Sequence, residues 1–386
     1  MEKGYNFASF FKTGLKYCNT LKNNFLKIIL FLFFAFFGVQ KMTAQDTTGH
    51  EFTTLMLEVR ADFNYNHMDT LDEYGFNGRY FNLKMGGRFG KGFSYYFRQR
   101  IIADAGSYHF FDNTDFLYLN YELNKNWSFR VGKDALSVGG FEYDAPPIDV
   151  IYSSFYWDYF YCFQLGASAA YHSNDGKHTL RAQFSTSPYV HSGSLFKNSL
   201  FSYSLMWSAR FPHFNLLYSV NMFERERGKF MNFISLGHQV AFDRWDLYLD
   251  LIHRATSTSQ LLRDFSIVGQ ANCHFKNGIT LFIKGAWEQN FDSEEIESWL
   301  ATGEIRDCLA LPGQRYCYCG IGLEYRPVKQ PNIRIHCYVG DFCTADYSWN
   351  ILHPNIPPHV QHRINANVGL TWNLDFIHLL KNKNIL

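Results

Sequence analysis

The chain has 386 residues, of which 19% are aromatic and 18% are charged. Lysine and arginine (36) exceed aspartate and glutamate (35) by one, so the strongly basic balance of a nucleic-acid-binding protein is missing. No apolar run reaches the roughly 18 residues that a membrane helix needs. These numbers exclude a nucleic-acid binder and a bundle of membrane helices, and they leave an aromatic-rich chain to be explained.

Residues 1–44 are predicted to be a secretory signal peptide. Five lysines and one acid, Glu2, precede an apolar run at 28–39, which is too short to span a bilayer. Ala44 supplies the small residue expected at the cleavage site. The alternative is an interfacial or buried helix, although no helical pattern follows in the sequence.

Seven cysteines remain after residue 44, so at least one thiol has no intramolecular partner. Cys308 with Cys343 is the pair that we expect if any disulfide forms. Cys317 and Cys319 are two residues apart, so both fall on the same apolar face of a strand. We interpret them as small apolar side chains and not as part of a metal or redox site.

Alternation of apolar and polar residues dominates the mature chain. In 53–65 the apolar residues occupy odd positions and the charged residues occupy even ones, and 363–376 shows the same period of two. The pattern recurs fourteen more times, which predicts sixteen strands in all. The other strands are predicted at 76–89, 93–105, 114–123, 127–133, 161–171, 178–187, 201–210, 214–223, 230–241, 245–254, 264–275, 279–289, 315–326 and 332–340.

The connections between these strands alternate between short and long. Seven short ones carry the Gly, Asn, Asp and Pro residues of tight turns, and each joins an even strand to the next odd one. The longest of the others are 134–160, 290–314 and 341–361. An up-and-down barrel with its turns on one side and its loops on the other has this arrangement.

A soluble β-sandwich also alternates apolar and polar faces. Strands of about ten residues, their even number, tryptophans at strand ends and the export signal favour a membrane protein instead. We therefore predict an all-β fold, a 16-stranded antiparallel transmembrane β-barrel over 45–376, followed by a C-terminal tail at 377–386.

A barrel of sixteen strands is too wide for side chains to fill, so its lumen should hold water. Basic residues on neighbouring strands predict a pore-lining patch, and the loop 134–160, which contains five acids, is predicted to fold toward the lumen and face it. The alternative is that these charges only solvate a wide lumen and that the loop acids face outside. The predicted patch consists of Arg60, Lys84, Arg98, Arg100 and Arg130. The loop acids are Asp134, Glu142, Asp144, Asp149 and Asp158, of which Glu142, Asp144 and Asp149 are expected at the constriction. The acids predicted to point inward from the strands are Glu58, Asp62, Asp104, Glu122, Asp246, Asp250, Glu288, Glu324 and Asp375.

Several motifs resemble the phosphate-selective porin O and P family in its Bacteroidetes-type form. They are Gly139-Gly140-Phe141-Glu142-Tyr143-Asp144, Pro147-Ile148-Asp149 and Tyr218-Ser219-Val220-Asn221-Met222. The resemblance implies a sixteen-stranded outer-membrane porin of a Gram-negative cell, usually a trimer, whose third loop narrows the channel. The acidic third loop and the ten residues after Phe376 depart from the family pattern.

We expect passive diffusion of small hydrophilic solutes and ions, with a weak anion or phosphate preference. The expected partners are outer-membrane lipid and two further copies in a homotrimer, with no nucleic acid. No catalytic motif of a hydrolase or nucleotide enzyme occurs, so neither enzymatic activity nor a cofactor or metal is expected. The alternative function is a non-pore surface binding or adhesion barrel that acts through its long loops.

Overall fold

The computed structural model describes residues 49–68, 71–101, 111, 113–189, 200–292, 296–297, 310–347 and 357–382. The predicted signal peptide, Asp104 and Cys308 lie outside the described residues. The chain divides into two compact units, Met1–His50 and Glu51–Leu386, and the architecture below is that of the second.

Sixteen antiparallel strands form one closed barrel, in which each strand pairs with the next and the last pairs with the first. The predicted fold is therefore confirmed. In chain order the strands are β1 (Glu51–Met68), β2 (Leu71–Phe89), β3 (Phe93–Arg100), β4 (Thr114–Glu122), β5 (Trp127–Ala135), β6 (Phe163–His172), β7 (His178–Thr186), β8 (Phe201–Arg210), β9 (Phe214–Glu226), β10 (Lys229–Phe242), β11 (Trp245–Ala255), β12 (Asp264–His274), β13 (Ile279–Asn290), β14 (Gln314–Tyr325), β15 (Ile333–Asp346) and β16 (His359–Asp375).

In the part of the chain that the structure describes, three short helices have defined bounds. Two of them, α1 (Phe141–Asp144) and α2 (Phe155–Tyr159), lie between β5 and β6. The third, α3 (Phe376–Asn382), follows β16 directly, so the predicted tail starts as a helix. A 3₁₀ turn occupies Thr258–Gln260. None of the helices among the described residues combines the length and apolarity needed to cross a bilayer.

The alternation along each strand separates two faces of the barrel. On β11, Leu247 and Leu249 point outward and are about half exposed, whereas Asp250 and Arg254 point inward and are buried. The same division holds around the barrel, with apolar side chains exposed outside and polar ones buried inside. An apolar outer band of this kind matches the hydrocarbon of a membrane, and it accounts for the aromatic-rich composition.

The first and last strands close the barrel over a long register that runs from Met56 opposite Asp375 to Met68 opposite Arg363. Inside the seam, Asn367 Nδ2 donates to Asn64 Oδ1 over 2.6 Å. Closure leaves no edge strand with unpaired backbone groups, which a bilayer would not tolerate.

Several strands differ from their predicted bounds at the end that carries the long loops, and β15 and β16 are two of them. β15 continues to Asp346 and β16 begins at His359, so nine of the 21 residues of the loop predicted at 341–361 belong to strands. Alternation was interrupted there by adjacent polar residues, although the backbone pairing continues.

Val368 points outward from the middle of β16, with 56% of its surface exposed. We expect Val368→Arg to lower the free energy of unfolding by about 2–4 kcal/mol, because a cation at the bilayer midplane loses its hydration. Urea unfolding of refolded protein in lipid vesicles measures the change. Val360→Arg, close to the first residue of β16 on the same outer face, should lower the free energy of unfolding by at most about 1 kcal/mol. Equal losses at both sites would contradict the placement of Val368 at the bilayer midplane.

Candidate functional site

The β5–β6 loop (residues 136–162) is anchored by an acid of the barrel wall at the start of α1. Asp250 on β11 accepts hydrogen bonds from the amides of Phe141, over 2.9 Å, and Glu142, over 2.8 Å. The first amides of a helix have no partner within it, and the residue before α1, Gly140, has no side chain to cap them. The wall carboxylate therefore caps this helix.

A second wall acid does the same for α2. Glu288 on β13 accepts from the amides of Phe155, over 2.6 Å, and Tyr156, over 3.0 Å. Ser266 Oγ on β12 also donates to Glu288, over 2.6 Å, which holds the carboxylate in place. Ser154 completes the cap by accepting from the amide of Trp157 over 3.1 Å.

Glu142 joins the two helices to the wall. Lys284 on β13 donates to Glu142 Oε1 over 2.5 Å and to the carbonyl of Tyr152, and the amide of Ser154 donates to Glu142 over 3.1 Å. Glu142 and Lys284 are almost fully buried. We call Asp250, Glu288, Lys284 and the loop groups that they bind the anchor. The structure thus places Glu142, one of the predicted constriction acids, inside the anchor.

Two arginines hold the loop from the opposite side. Arg60 on β1 donates to the carbonyls of Val150, over 2.8 Å, and Ile148, over 3.3 Å. Arg334 on β15 donates to the carbonyl of Ile148 over 2.5 Å and pairs with Asp149 over 2.7 Å. Arg60 of the predicted patch is therefore buried under the loop, and the predicted acid Asp149 is bound to an arginine.

The start of the loop contacts a third part of the wall. Ser137 donates its amide to Gln183 on β7 over 2.6 Å and accepts from Asn221 on β9 over 2.8 Å. The contacts of the whole β5–β6 loop thus extend from β7 and β9 through β11 and β13 to β15 and β1. Because these strands lie on different sides of the closed barrel, we infer that the loop crosses the lumen.

Glycines allow the loop to approach the wall closely. Gly140 has a φ of 122°, which side chains disfavour. A Cβ on Gly237 of β10 would lie 3.0 Å from the Cα of Gly140, and one on Gly139 would lie 2.5 Å from the carbonyl oxygen of Leu217. The Gly139-Gly140 pair is therefore required by backbone contact with the barrel.

The remaining four residues of the predicted patch lie on β2, β3 and β5, away from the anchor. Lys84 pairs with Glu58, and Arg130 pairs with Asp134 over 2.6 Å. Arg98 and Arg100 both bind Asp115, each over 2.9 Å.

These pairs set the net charge of the patch. With the Arg60–Asp62 pair, its five cations face four carboxylates, a net charge of +1. Arg98 is buried, whereas Arg100 is 46% exposed and is the more accessible of the two. Aromatic rings back this wall: the Arg130 guanidinium lies 4.0 Å from the ring centre of Tyr118, and that of Arg98 lies 4.6 Å from that of Phe116.

Asp115 was missed by sequence reasoning. Strict alternation along β4 places it on the outer face, but the register between β3 and β4 shifts between Arg98 and Gln99. A second shift, between Arg60 and Ala61, leaves Arg79 of β2 as an extra residue. A sequence pattern of period two carries no signal for either irregularity.

Asp144 and Asp158 are the exposed acids of the loop helices. Desolvation inside the barrel raises the pKa of Asp144, against the opposing effect of Arg210 and Arg181. Desolvation also raises the pKa of Asp158, against a hydrogen bond from Ser153 and the charge of Arg79. Both carboxylates therefore interact with arginines of the barrel wall.

The described part of the chain contains no group of three or more His, Cys, Asp or Glu side chains placed to hold a metal ion. His362 on β16 pairs with Asp341 on β15 over 3.1 Å.

Comparison with known proteins supports a porin. Residues 54–226, from β1 to the end of β9, match the sequence model of the family described as phosphate-selective porin O and P. This range includes the β5–β6 loop with its Gly139-Gly140 motif, so the resemblance seen in the sequence is supported over that part of the chain. No curated protein matches the chain.

Several solved structures of outer-membrane proteins share the fold at low sequence identity. The anion-selective porin from Comamonas acidovorans has 12% identity and a TM-score of 0.59, with 84% of this chain and 100% of that chain covered. The outer-membrane channel DcaP of Acinetobacter baumannii has 10% identity and a TM-score of 0.58, with 86% and 99% covered. The trimer form of OmpT from Vibrio cholerae has 7% identity and a TM-score of 0.54, with 85% and 100% covered. The solved structures show the fold that this chain shares, and the family match over residues 54–226 points to a channel.

Removal of the α1 cap tests the anchor. We expect Asp250→Ala to leave two buried amides without an acceptor, at a cost of about 1–3 kcal/mol for each. The loop should then fluctuate, and single-channel recordings should show a larger mean conductance with more open-state noise.

Asp246→Ala is the matched control. Asp246 lies on the same strand and face, but it binds Asn272 and His274 near the short turns. Its replacement should leave the open-state noise unchanged. Wild-type conductance and noise in Asp250→Ala would show that this carboxylate does not hold the loop.

Proposed function

We propose that the protein is an outer-membrane porin through which small hydrophilic solutes and ions diffuse passively, with a weak preference for anions. The observation that carries this proposal is the anchored β5–β6 loop. It reduces a sixteen-stranded lumen to the space between its own acids and the arginines of the facing wall.

The pairing of cations with carboxylates supports a weak preference for anions and not a strong one. The five patch cations face four carboxylates, and three further arginines interact with the two exposed loop acids. Eight cations against six carboxylates leave a small positive excess in this part of the lumen. A tight phosphate site needs a run of free cations, and here each patch cation already has a partner.

The arrangement also sets a field across the channel. Arg79 on the wall interacts electrostatically with Asp158 on the loop, and Arg181 on the wall does so with Asp144. Opposed charges of this kind orient polar solutes and weaken binding to either side. Solutes should therefore pass without being held, which is what passive diffusion requires.

The proposal includes location and assembly. An export signal at 1–44, a barrel over 45–376 and an apolar outer band are those of a protein in the outer membrane of a Gram-negative cell, with lipid as its partner. A homotrimer is supported by the trimer form of OmpT, which shares the fold. The motif at 139–144 supports the Bacteroidetes-type form of the family.

Planar-bilayer recording of refolded mature protein tests the function. Stable conductance steps and a reversal potential of anionic sign under a salt gradient are expected, with no block by low phosphate. Folded protein without conductance would overturn the porin and favour a surface binding barrel. Block by low phosphate would instead establish the phosphate selectivity for which the family is named.

Arg100 is the patch residue best placed to act on permeating ions. We expect Arg100→Glu to shift the reversal potential toward cations, because it replaces the most exposed cation beside Asp115 with a second acid. Arg100→Lys should keep the wild-type sign because the charge is retained. An unchanged reversal potential in Arg100→Glu would show that this part of the wall does not determine the ion selectivity.

Acid should increase the preference for anions. Because the pKa values of Asp144 and Asp158 are raised, these carboxyls gain protons at a higher pH than ordinary aspartates, and the lumen becomes more positive as the pH falls. Reversal potentials recorded from neutral pH down to the ordinary aspartate range measure the shift.

Asp144→Asn with Asp158→Asn should be more anion-selective at neutral pH and should lose most of the pH-dependent shift. Asp175→Asn, in the short turn between β6 and β7, is the control and should behave as wild type. A double variant with the full wild-type pH dependence would exclude these two carboxylates as its source.

A further inference from the structure

We propose that Cys317 and Cys343 form an intramolecular disulfide in the exported protein. The two residues lie directly opposite each other on β14 and β15. The sequence alone favoured Cys308 as the partner of Cys343, because both were expected in long loops. The structure instead places Cys343 within β15.

Cross-strand geometry selects this pair over its neighbour. Cβ atoms of directly opposed residues are about 4.5–5.5 Å apart, whereas diagonal neighbours are about 7–8 Å apart. A disulfide needs a Cβ separation of about 3.5–4.5 Å. Cys319 lies opposite Asp341, which makes it a diagonal neighbour of Cys343 and too distant without backbone movement.

The position of the pair gives an oxidant access to it. Both residues are on the outer face, at the level where the apolar band of Ile321 and Val339 gives way to polar side chains. His362 lies opposite Cys343 on β16 and pairs with Asp341, and both are more than half exposed.

The oxidation is a thiol–disulfide exchange with a disulfide-bearing oxidant of the compartment outside the inner membrane. One thiolate attacks the oxidant and forms a mixed disulfide with it. The thiolate of the other cysteine then displaces the oxidant, which leaves as a dithiol. Two thiols lose two protons and two electrons, and the oxidant gains them.

The bond would fasten β14 to β15 at their loop-bearing ends. Those ends carry the connections from β13 and to β16, which are among the longest in the chain. A disulfide there restricts the unfolded chain and resists separation of the two strands. This inference rests only on the export assumed in the proposed function and needs no channel activity.

Peptide mapping tests the bond. Full-length protein from the outer-membrane fraction is alkylated without reductant under denaturing conditions, digested and analysed by mass spectrometry. We expect a cross-linked peptide pair of Cys317 and Cys343 that is lighter than the two thiol peptides by two hydrogens. Alkylation of both thiols, or linkage of Cys343 to Cys308 or Cys319, would overturn the proposal.

Single variants supply the controls. Cys317→Ser should leave Cys343 free to be alkylated, whereas Cys319→Ser and Cys337→Ser, on the same outer face, should keep the cross-linked pair. Reductant should lower the midpoint temperature of barrel unfolding by a few degrees in wild type and not in Cys317→Ser. Conductance recorded on the same preparation separates a failure of this bond from a failure of the porin function.

Discussion

The structure depends on hydrogen bonds from backbone amides of the β5–β6 loop to acids of the barrel wall. A loop inside a barrel is removed from bulk water, and each buried amide without a partner is destabilising. Asp250 and Glu288 satisfy four such amides at the starts of two helices too short to be stable alone. Without these acceptors the starts of both helices would lose their partners, and the loop would be held only by its remaining contacts, such as those with Lys284, Arg60 and Arg334.

The charged residues of the barrel wall therefore fall into two groups. Around Lys284 and Arg334, charged groups are buried, paired and bound to loop carbonyls or carboxylates, so they act on the fold. Arg100 is 46% exposed although it pairs with Asp115, and we propose that it acts on permeating solutes. Both sets lie on the same polar face of the strands. Pairing with a carboxylate weakens the hold of an arginine on a passing anion, which favours fast exchange over tight binding.

Alternation was sufficient to predict sixteen strands, their order and which face of each points inward, because a barrel between lipid and water imposes a period of two. It also placed Asp250 and Glu288 inside. It did not reveal that they hold the loop, since the loop has no period that fixes its path. Asp115 was missed because a register shift turns it inward, and the buried anchor role of Glu142 follows only from its contact with Lys284.

Hydrogen exchange of the amides of Phe141, Glu142, Phe155 and Tyr156 in the folded, micelle-embedded protein tests the central claim most directly. Their hydrogen bonds to buried wall carboxylates predict exchange as slow as that of the barrel strands. Exchange as fast as that of exposed turn residues such as Lys125 would show that the loop is not anchored, and would contradict this account of the channel.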